Sequence, residues 1–250
     1  MPHLRLVEVT CRQGARYYFP VRIRNQNLPD PLPREPMPLA STWLRQAWDE
    51  QVQPNPDAMV LATISPDDRL SARVVLCKDI VPDPGYLLFY TNYESRKGRD
   101  LDGWPRAAAV FHWDTLQRQL RLEGEVVRSP QGESDDYFAS RSWRSRVAAC
   151  ASRQSEPVAS RQALVAQWQD AARRLGAPDP MTAPEDDAEP DFHVERPAHW
   201  GGYRLWVDAV EFWVEGDHRL HYRARWTREI EADGAGGFRT GPWHHARLQP

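Results

Sequence analysis

The stretch that decides the fold is residues 58–68, AMVLATISPDD. Its first seven residues are apolar or β-branched, and they run into a Ser-Pro-Asp-Asp sequence that is typical of a turn. Further strand-like runs follow at the spacing of an antiparallel meander, with few helices between them. The pattern therefore predicts a mainly β protein, built as a barrel or a sandwich. These runs cover residues 73–78, 86–91, 107–113 and 117–127.

Helical segments flank this β region. Apolar residues recur at helical spacing from Leu39 to Val52 and again over 157–175, and a shorter helix is expected over 134–140. Two more strands are expected over 203–214 and 218–226. A chain of 250 residues can bury one good core, so we expect a single domain over 37–250.

Two segments are expected to lie outside the regular framework. Residues 1–36 carry several prolines, which predicts an irregular N-terminal extension that could act as a lid. Residues 176–198 combine prolines with an acidic run, which predicts an exposed loop.

Composition limits the class of function. Lys and Arg total 32 against 35 Asp and Glu, a net charge of −3, which argues against a general nucleic-acid surface. No apolar run approaches the roughly 18 residues of a membrane span, and the N-terminus lacks the apolar core of a signal peptide. Cys11, Cys77 and Cys150 show no metal-ligand spacing, so we expect free thiols, no metal site and a cytoplasmic protein.

A cationic row occupies the last predicted strand, RLHYR at 219–223. If this stretch is a strand, Arg219, His221 and Arg223 share one face, because side chains alternate. Like charges at that spacing repel one another unless an anion or water lies over them. Two interpretations remain open, a solvated strand face or a site for a phosphorylated or otherwise anionic ligand.

Three other clusters could hold an anion. Ser95 is suited to cap a helix that starts at Arg96 and Lys97, and helix N-termini bind phosphate. Tyr137, Arg141 and Ser145 follow at intervals of four, so a continuous helix would align them as a phosphate clamp or simply as a polar face. Arg73 and Lys78 lie five positions apart on opposite faces of a regular strand, so either a bulge intervenes or they contact different parts of a large ligand. No catalytic triad order, Walker loop or dinucleotide fingerprint is present.

In their order and spacing, these segments resemble the pyridoxamine 5′-phosphate oxidase family, the FMN enzymes that make pyridoxal 5′-phosphate. The likeness extends from about residue 37 to residue 250. It is carried by RVVLCK at 73–78, FYTN at 89–92, SRK at 95–97, WDTLQRQ at 113–119, SRQS at 152–155, WGG at 200–202, EFW at 211–213, RLH at 219–221 and RLQP at 247–250.

The resemblance implies an antiparallel split β-barrel homodimer with flanking helices and with FMN at the subunit interface. By the family pattern, FMN would be held by Arg73, Val74, Val75, Leu76, Cys77, Lys78, Tyr90, Thr91, Arg96, Lys97, Gln119, Gln154, Ser155, Trp213 and Arg223. The substrate would be held by Lys78, Tyr137, Arg141, Ser145, Arg219 and His221. Arg219 and His221 would also be the catalytic pair, placing the substrate ring over the flavin. The implied reaction oxidises pyridoxamine or pyridoxine 5′-phosphate at C4′ and reduces O2 to H2O2.

The chain departs from the family pattern at three places. Tyr222 stands where the family usually has Asp, the loop before Trp200 is longer than usual, and the bacterial lid motif has only Arg16-Tyr17-Tyr18 as a candidate. Alternation places Tyr222 away from the ligand, which predicts an effect on packing or on the dimer contact.

Two alternatives to this oxidase remain. One is a related FMN oxidase of secondary metabolism, of the phenazine-pathway type, acting on a non-phosphorylated substrate; ASRQSE at 151–156 and the terminal LQP favour it slightly. The other is a non-catalytic protein that binds flavin or pyridoxal phosphate.

Overall fold

The computed structural model describes residues 4–10, 16–22, 27–183 and 192–250. In chain order its elements are β1 Leu4–Thr10, β2 Arg16–Arg22, α1 Met37–Asp49, β3 Ala58–Ile64, β4 Leu70–Val81, β5 Tyr86–Asn92, α2 Arg96–Gly103, β6 Arg106–Trp113, β7 Arg118–Arg128, α3 Gln131–Ala139, α4 Trp143–Ala151, α5 Arg161–Arg174, β8 Trp200–Val214, β9 Tyr222–Thr227, β10 Ile230–Ala232, β11 Phe238–Thr240 and β12 His244–Leu248.

Eight of the strands from β3 onward, all except the separate β10–β11 pair, form one antiparallel sheet that closes on itself. Its order is β12-β9-β8-β5-β4-β3-β6-β7, and β7 pairs again with β8, which makes a six-stranded barrel with β9 and β12 extending one side. The long β8 closes it, since its first half pairs with β5 and its second half with β9, while β7 runs along most of its length. The predicted mainly β class with flanking helices, an antiparallel split barrel, is confirmed.

The barrel interior is filled by alternate residues of its strands. Along β7, Leu120 and Leu122 are fully buried, and Phe111 and Phe212 meet them from the neighbouring strands. Helix α1 covers one end, where the Trp43 ring packs edge-on against Phe212 at 4.8 Å. Burial of such side chains contributes about 1.5–3 kcal/mol each, so the barrel is a rigid platform for loops at its rim.

A second, smaller core lies beside the barrel. Helices α3, α4 and α5 enclose Trp143, Val147, Ala172 and Trp200, the last of which is the first residue of β8. The α3–β8 contact therefore fixes the helices against one end of the barrel. On α5 the predicted apolar stripe is only partly buried, because Leu164 remains 39% exposed.

One sequence prediction, about the N-terminal segment of the chain, is corrected. Residues 1–36 are not irregular throughout, since β1 and β2 form a hairpin in which Leu4 faces Arg22 and Thr10 faces Arg16. A two-stranded hairpin has free edges, so it tolerates Pro20 within β2. The Arg16-Tyr17-Tyr18 motif lies in β2, and its role as a lid stays a prediction. The glycine-rich stretch 234–237 is the turn between two short strands, β10 and β11.

Three further predictions are corrected by local backbone geometry. The strand expected over 218–226 begins only at Tyr222, since 217–219 form a short 3-10 turn. The helix expected to carry Tyr137 through Ser145 is broken, because Ser142 caps a new helix at its N-terminus. The 176–198 loop is not wholly exposed, since Pro180 and Val194 are buried; its residues 184–191 lie outside the described part.

Candidate active site

A cleft of about 440 Å³ opens between β4 and β5 on one side and the α3–α4 helices on the other. Ten of the residues predicted for flavin or substrate line it: Val74, Val75, Leu76, Lys78, Tyr90, Thr91, Lys97, Tyr137, Arg141 and Gln154. The structure adds five that the sequence reasoning did not assign: Asn92, Ala148, Ala149, Ser152 and Trp200. One chain thus brings together residues that are far apart in sequence.

One end of the cleft is strongly cationic. Lys97 is only 8% exposed, and its Nζ donates to Thr91 Oγ1 at 3.0 Å, Ser95 Oγ at 3.0 Å and Gln154 Oε1 at 2.6 Å. Burial, with the nearby Arg73 charge as the second cause, lowers the pKa of Lys97 to about 8. The hydrogen-bond acceptors of the Lys97 ammonium group are all neutral oxygens. An anion at this end of the cleft would therefore stabilise the charged form of Lys97.

The N-terminus of α2 adds backbone donors at the same end. Ser95 caps the helix by accepting from the Gly98 N–H, and the Arg96 N–H donates to Ser155 Oγ at 3.1 Å. A Cβ on Gly98 would stand 1.8 Å from the Tyr93 carbonyl oxygen, so only glycine lets the helix start this close to β5. Helix N-termini favour negative charge. The predicted helix start at Arg96 with Ser95 as its cap is therefore confirmed, and phosphate binding there stays a prediction.

Arg73 acts on this cationic end without lining the cleft. Its Nη1 donates to the Leu61 carbonyl at 2.9 Å and to Thr63 Oγ1 at 2.8 Å. Its Nη2 lies 3.6 Å from Asp100 Oδ2 and is buried with no hydrogen-bond partner among the described residues. Burial lowers the pKa of Arg73, which the Asp100 charge partly offsets.

The opposite wall of the cleft is aromatic. The rings of Tyr90 and Tyr137 stack at 3.9 Å, and Trp200 lies nearly parallel to both. The Arg141 guanidinium sits 4.6 Å from the Trp200 ring centroid, and its Nη1 is buried with no hydrogen-bond partner in the described part of the chain. Burial lowers the pKa of Arg141. Ring stacking thus orients this guanidinium, which has no ion pair within the described part of the chain.

The sequence places Trp200 only within the WGG motif and does not indicate its contact with Arg141. The one sequence signal was the WGG run itself, where Cβ atoms on Gly201 or Gly202 would come within 2.1–2.3 Å of Tyr93 and Ser129. Such close approaches show that the start of β8, beside the cleft, is tightly packed.

A bulge at Lys78 interrupts the alternation of side chains along β4, which was one of the two alternatives for Arg73 and Lys78. The β4–β5 register shifts between Cys77 and Asp79, which makes Lys78 the extra residue of a bulge. Its Nζ forms an ion pair with the buried Asp57 at 2.9 Å. The bulge lets Lys78 line the same cleft as Val74, Val75 and Leu76.

Besides Arg73 and Arg96, three more predicted residues lie near the cleft without lining it. Cys77 is a core residue, and burial raises the pKa of its thiol to about 12. Ser145 accepts from the Ser142 hydroxyl at 3.0 Å on α4. Ser155, with a left-handed φ of 76°, serves the Arg96 backbone instead.

The remaining predicted residues form a second cluster at the far end of β8. Gln119 faces Trp213, and Trp213 faces Arg223 on the adjacent strand. The His221 ring lies 4.7 Å from the Trp213 ring, and the Gly216 N–H donates to His221 Nδ1 at 3.2 Å. In the neutral imidazole this bond places the proton on Nε2, which leaves that atom as a donor.

The cations of this cluster are neutralised by carboxylates of the chain. Arg223 Nε and Nη2 donate to Glu211 Oε1 at 3.0 and 2.6 Å, and Glu211 is 4% exposed. Arg225 pairs with Glu123 at 3.1 Å. The expected repulsion between the cations of 219–223 is therefore absent. Glu211 and Glu123 pair with the strand arginines, and Arg219 does not lie on the strand.

Arg219 stands apart on an exposed turn. His218 and Arg219 both adopt left-handed backbone, with φ of 54° and 66°. Such conformations cost free energy in residues other than glycine and cluster at functional sites. The turn presents Arg219 and the 68%-exposed Leu220 outward.

The two clusters lie at opposite ends of β8. Trp200 and Trp213 are thirteen residues apart, a span of up to about 40 Å along a strand. The cleft lining contains none of Gln119, Trp213, Arg219, His221 or Arg223. One copy of the chain therefore does not bring the complete predicted set together.

An exposed apolar face lies next to the cleft. Val60 on β3 faces Val74 on β4, and their side chains are 42% and 66% exposed, with Leu76 and Leu70 on the same two strands also exposed. Contiguous exposed apolar surface on a sheet is typical of a protein–protein interface.

Fold and site together define a class: an antiparallel β-barrel protein whose cationic and aromatic cleft suits a phosphorylated, planar ligand and whose apolar face suits a second subunit. The chain belongs to the pyridoxamine 5′-phosphate oxidase family of flavoprotein oxidoreductases. Residues 44–173 match the sequence model described as pyridoxamine 5′-phosphate oxidase. Residues 200–250 match the pyridoxine 5′-phosphate oxidase C-terminal dimerisation region, which supports a homodimer.

Individual relatives agree with this family. The chain is 41% identical over 215 residues to the pyridoxine/pyridoxamine 5′-phosphate oxidase of Roseobacter denitrificans, covering 86% of this chain and 94% of that protein. It is also 41% identical to that of Gluconobacter oxydans, covering 88% and 96%. The crystal structure of PhzG from Burkholderia lata, in complex with tetrahydrophenazine-1-carboxylic acid, superposes with a TM-score of 0.71 at 31% identity, covering 88% and 95%. A helix long and apolar enough to cross a membrane is not found among the described residues.

Proposed function

We propose that the protein is an FMN-dependent oxidase that converts pyridoxamine 5′-phosphate and pyridoxine 5′-phosphate to pyridoxal 5′-phosphate, with O2 reduced to H2O2. The observation that carries the proposal is Arg141, a half-buried guanidinium held on Trp200 whose Nη1 has no hydrogen-bond partner among the described residues, in the same cleft as the cationic end at Lys97. The cleft thus offers two separate anion sites, one for each of two phosphorylated ligands. The relatives named as oxidases of these substrates support it.

The cleft residues fit FMN. Lys97 and Arg73 leave a buried excess of positive charge, and the Arg73 Nη2 donors have no hydrogen-bond partner among the described residues. Arg96 contributes its backbone N–H group at the helix start, beside Gln154 and Ser155. These residues would hold the phosphate, while the β4 backbone from Val74 to Lys78 would line the ring system. When bound, FMN supplies the two-electron acceptor that the amino acids of this chain lack.

A second copy of the chain would complete each site. Gln119, Trp213 and Arg223 of one subunit would contact the flavin held in the cleft of the other, with the exposed face around Val60 and Val74 forming the contact. Glu211 already fixes Arg223 before any ligand binds. Two sites per dimer follow from the two-fold symmetry of such an interface.

The substrate would be clamped at its phosphate and oriented at its ring. Arg141 and Tyr137 would take the phosphate, with Lys78 at the cleft edge and Ser145 as a further hydroxyl on α4. Arg219 and His221 of the partner copy would hold the ring. Because His221 Nδ1 accepts from Gly216, its Nε2–H is available for an orienting hydrogen bond to the substrate. The exposed Arg219 would close over the reacting carbon, an example of catalysis by orientation.

An oxidase of the phenazine-pathway type is the second candidate. It is favoured by the likeness to PhzG, whose structure holds a tricyclic carboxylic acid. Arg141 could pair with a carboxylate as well as with a phosphate. Turnover of pyridoxamine 5′-phosphate, compared with that of a non-phosphorylated aromatic acid, separates the two.

The test is oxygen uptake by the purified protein with both phosphorylated vitamers in the presence of FMN. The proposal predicts a yellow protein, uptake dependent on substrate and formation of pyridoxal 5′-phosphate. A protein that stays colourless and cannot be reconstituted with FMN would refute it. Tight flavin binding without any turnover would instead identify a carrier protein.

We also propose a cytoplasmic location. Cys77 and Cys150 are both free thiols in the structure, as expected in a reducing compartment. Fractionation of the producing cells tests this assignment.

A further inference from the structure

Two buried polar residues, Thr63 and Asp100, stand behind the cationic end of the cleft. They are 2% and 3% exposed, and neither lines the cleft. A buried carboxylate is costly unless it is paired and hydrogen-bonded. Their contacts with Arg73 explain why they are buried.

Thr63, Asp100 and Arg73 are connected by hydrogen bonds whose donors and acceptors are fixed. Thr63 Oγ1 donates to Asp100 Oδ2 at 2.7 Å, so its single proton is committed and its lone pairs face Arg73. Arg73 Nη1 donates to this oxygen at 2.8 Å and to the Leu61 carbonyl at 2.9 Å. Nη1 is therefore held by two acceptors, while the buried Nη2 lies 3.6 Å from Asp100 Oδ2 and makes no hydrogen bond within the described residues.

The charges show why the arrangement suits an anion. Asp100 follows Lys97 by one helical turn on α2, and it lies 3.6 Å from Arg73 Nη2. One carboxylate then faces two cations, so a net positive charge remains buried. Asp100 lowers the repulsion between Arg73 and Lys97 but leaves charge for a phosphate to neutralise.

We propose that Thr63 and Asp100 are positioning residues that hold the Arg73 guanidinium behind Lys97, where its positive charge stabilises the phosphate of bound FMN. The inference rests on the proposed function only for the identity of the cofactor. Neither residue touches the flavin, and both act through Arg73.

Three substitutions separate positioning from general stability. Thr63→Val keeps the side-chain shape and removes the hydroxyl, Thr63→Ser keeps the hydroxyl, and Asp100→Asn keeps the shape and removes the charge. Each full-length protein, stripped of flavin, is titrated with FMN and with riboflavin, and binding is followed by flavin fluorescence. Riboflavin lacks the phosphate, so it reports on the rest of the site.

The expected result is a loss of FMN affinity of about tenfold or more in Thr63→Val and Asp100→Asn, with riboflavin affinity changed by less than about twofold. Thr63→Ser should bind FMN like the wild type. Equal losses for FMN and riboflavin, or a Thr63→Ser protein as weak as Thr63→Val, would overturn the inference. A wild-type protein that binds neither flavin would instead remove the cofactor assignment itself.

Discussion

Replacing Arg141 with alanine should damage catalysis only for substrates that carry a phosphate. The guanidinium is stacked 4.6 Å from Trp200 and its Nη1 has no hydrogen-bond partner among the described residues. The substitution therefore breaks no ion pair among the described residues, and we assign the lost free energy to the ligand contact. A hydrogen bond to a charged group contributes about 1.5–3 kcal/mol, which corresponds to about 10- to 150-fold in kcat/KM.

The assay is steady-state oxygen uptake with pyridoxamine 5′-phosphate and with unphosphorylated pyridoxamine. We expect Arg141→Ala to raise KM for the first and to leave kcat/KM for the second within about threefold. Arg144→Ala is the matched control, because Arg144 also stacks on a tryptophan, Trp143 at 4.6 Å, but does not line the cleft.

Two outcomes would refute this reasoning. An unchanged KM for the phosphorylated substrate would show that Arg141 does not bind the phosphate and would favour a substrate without one. Equal losses for both substrates, or the same loss in Arg144→Ala, would show that the helical cluster has been disturbed.

Three other predictions follow from the same geometry. Burial lowers the pKa of Lys97 to about 8, so between pH 8 and 10.5 the flavin-free folded protein binds fewer protons at Lys97 than the unfolded chain, and its free energy of unfolding should rise with pH over that range. Because a bound anion restores the positive charge of Lys97, FMN affinity should fall above pH 8 by up to about tenfold per pH unit. Lys97→Gln should remove both pH dependences. Val60→Asp should yield monomers in light scattering and abolish activity, whereas Val158→Asp, at an exposed site outside the sheet, should leave the dimer intact. Glu211→Gln should release Arg223 and weaken FMN binding about tenfold, as measured by fluorescence titration; unchanged affinity would show that Arg223 does not contact the flavin.

The strands of the barrel could be predicted because their signal is local. Alternation and turn residues located β3 to β7 within a few positions, and the helical period located α1 and α5. The closure of the barrel by β7 on β8 joins residues about ninety positions apart, such as Gln119 and Trp213. No periodicity within either strand specifies such a partner.

The parts of the site that were predicted wrongly depend on single backbone angles. The left-handed conformations of His218 and Arg219 end the expected strand early, and arginine is not among the residue types that favour that region. Ser142 can sit inside a helix or cap one, and the structure uses it as a cap. Trp200 gained its contact with Arg141 only through the docking of α3 on β8.

The division of the site into two clusters also escaped the sequence. The resemblance supplied one set of residues, whereas the fold places Lys97 and Trp213 in separate clusters at the two ends of β8. The resemblance implied FMN at a subunit interface, and the geometry adds which of the predicted residues belong to each cluster.

The most direct test of the central claim is the absorbance of bound flavin during anaerobic addition of pyridoxamine 5′-phosphate. The account predicts that the yellow absorbance is lost as substrate is oxidised and returns when air is admitted, with one substrate consumed per bound flavin. Flavin absorbance that does not change with pyridoxamine or pyridoxine 5′-phosphate, in a protein that has bound FMN, would contradict it.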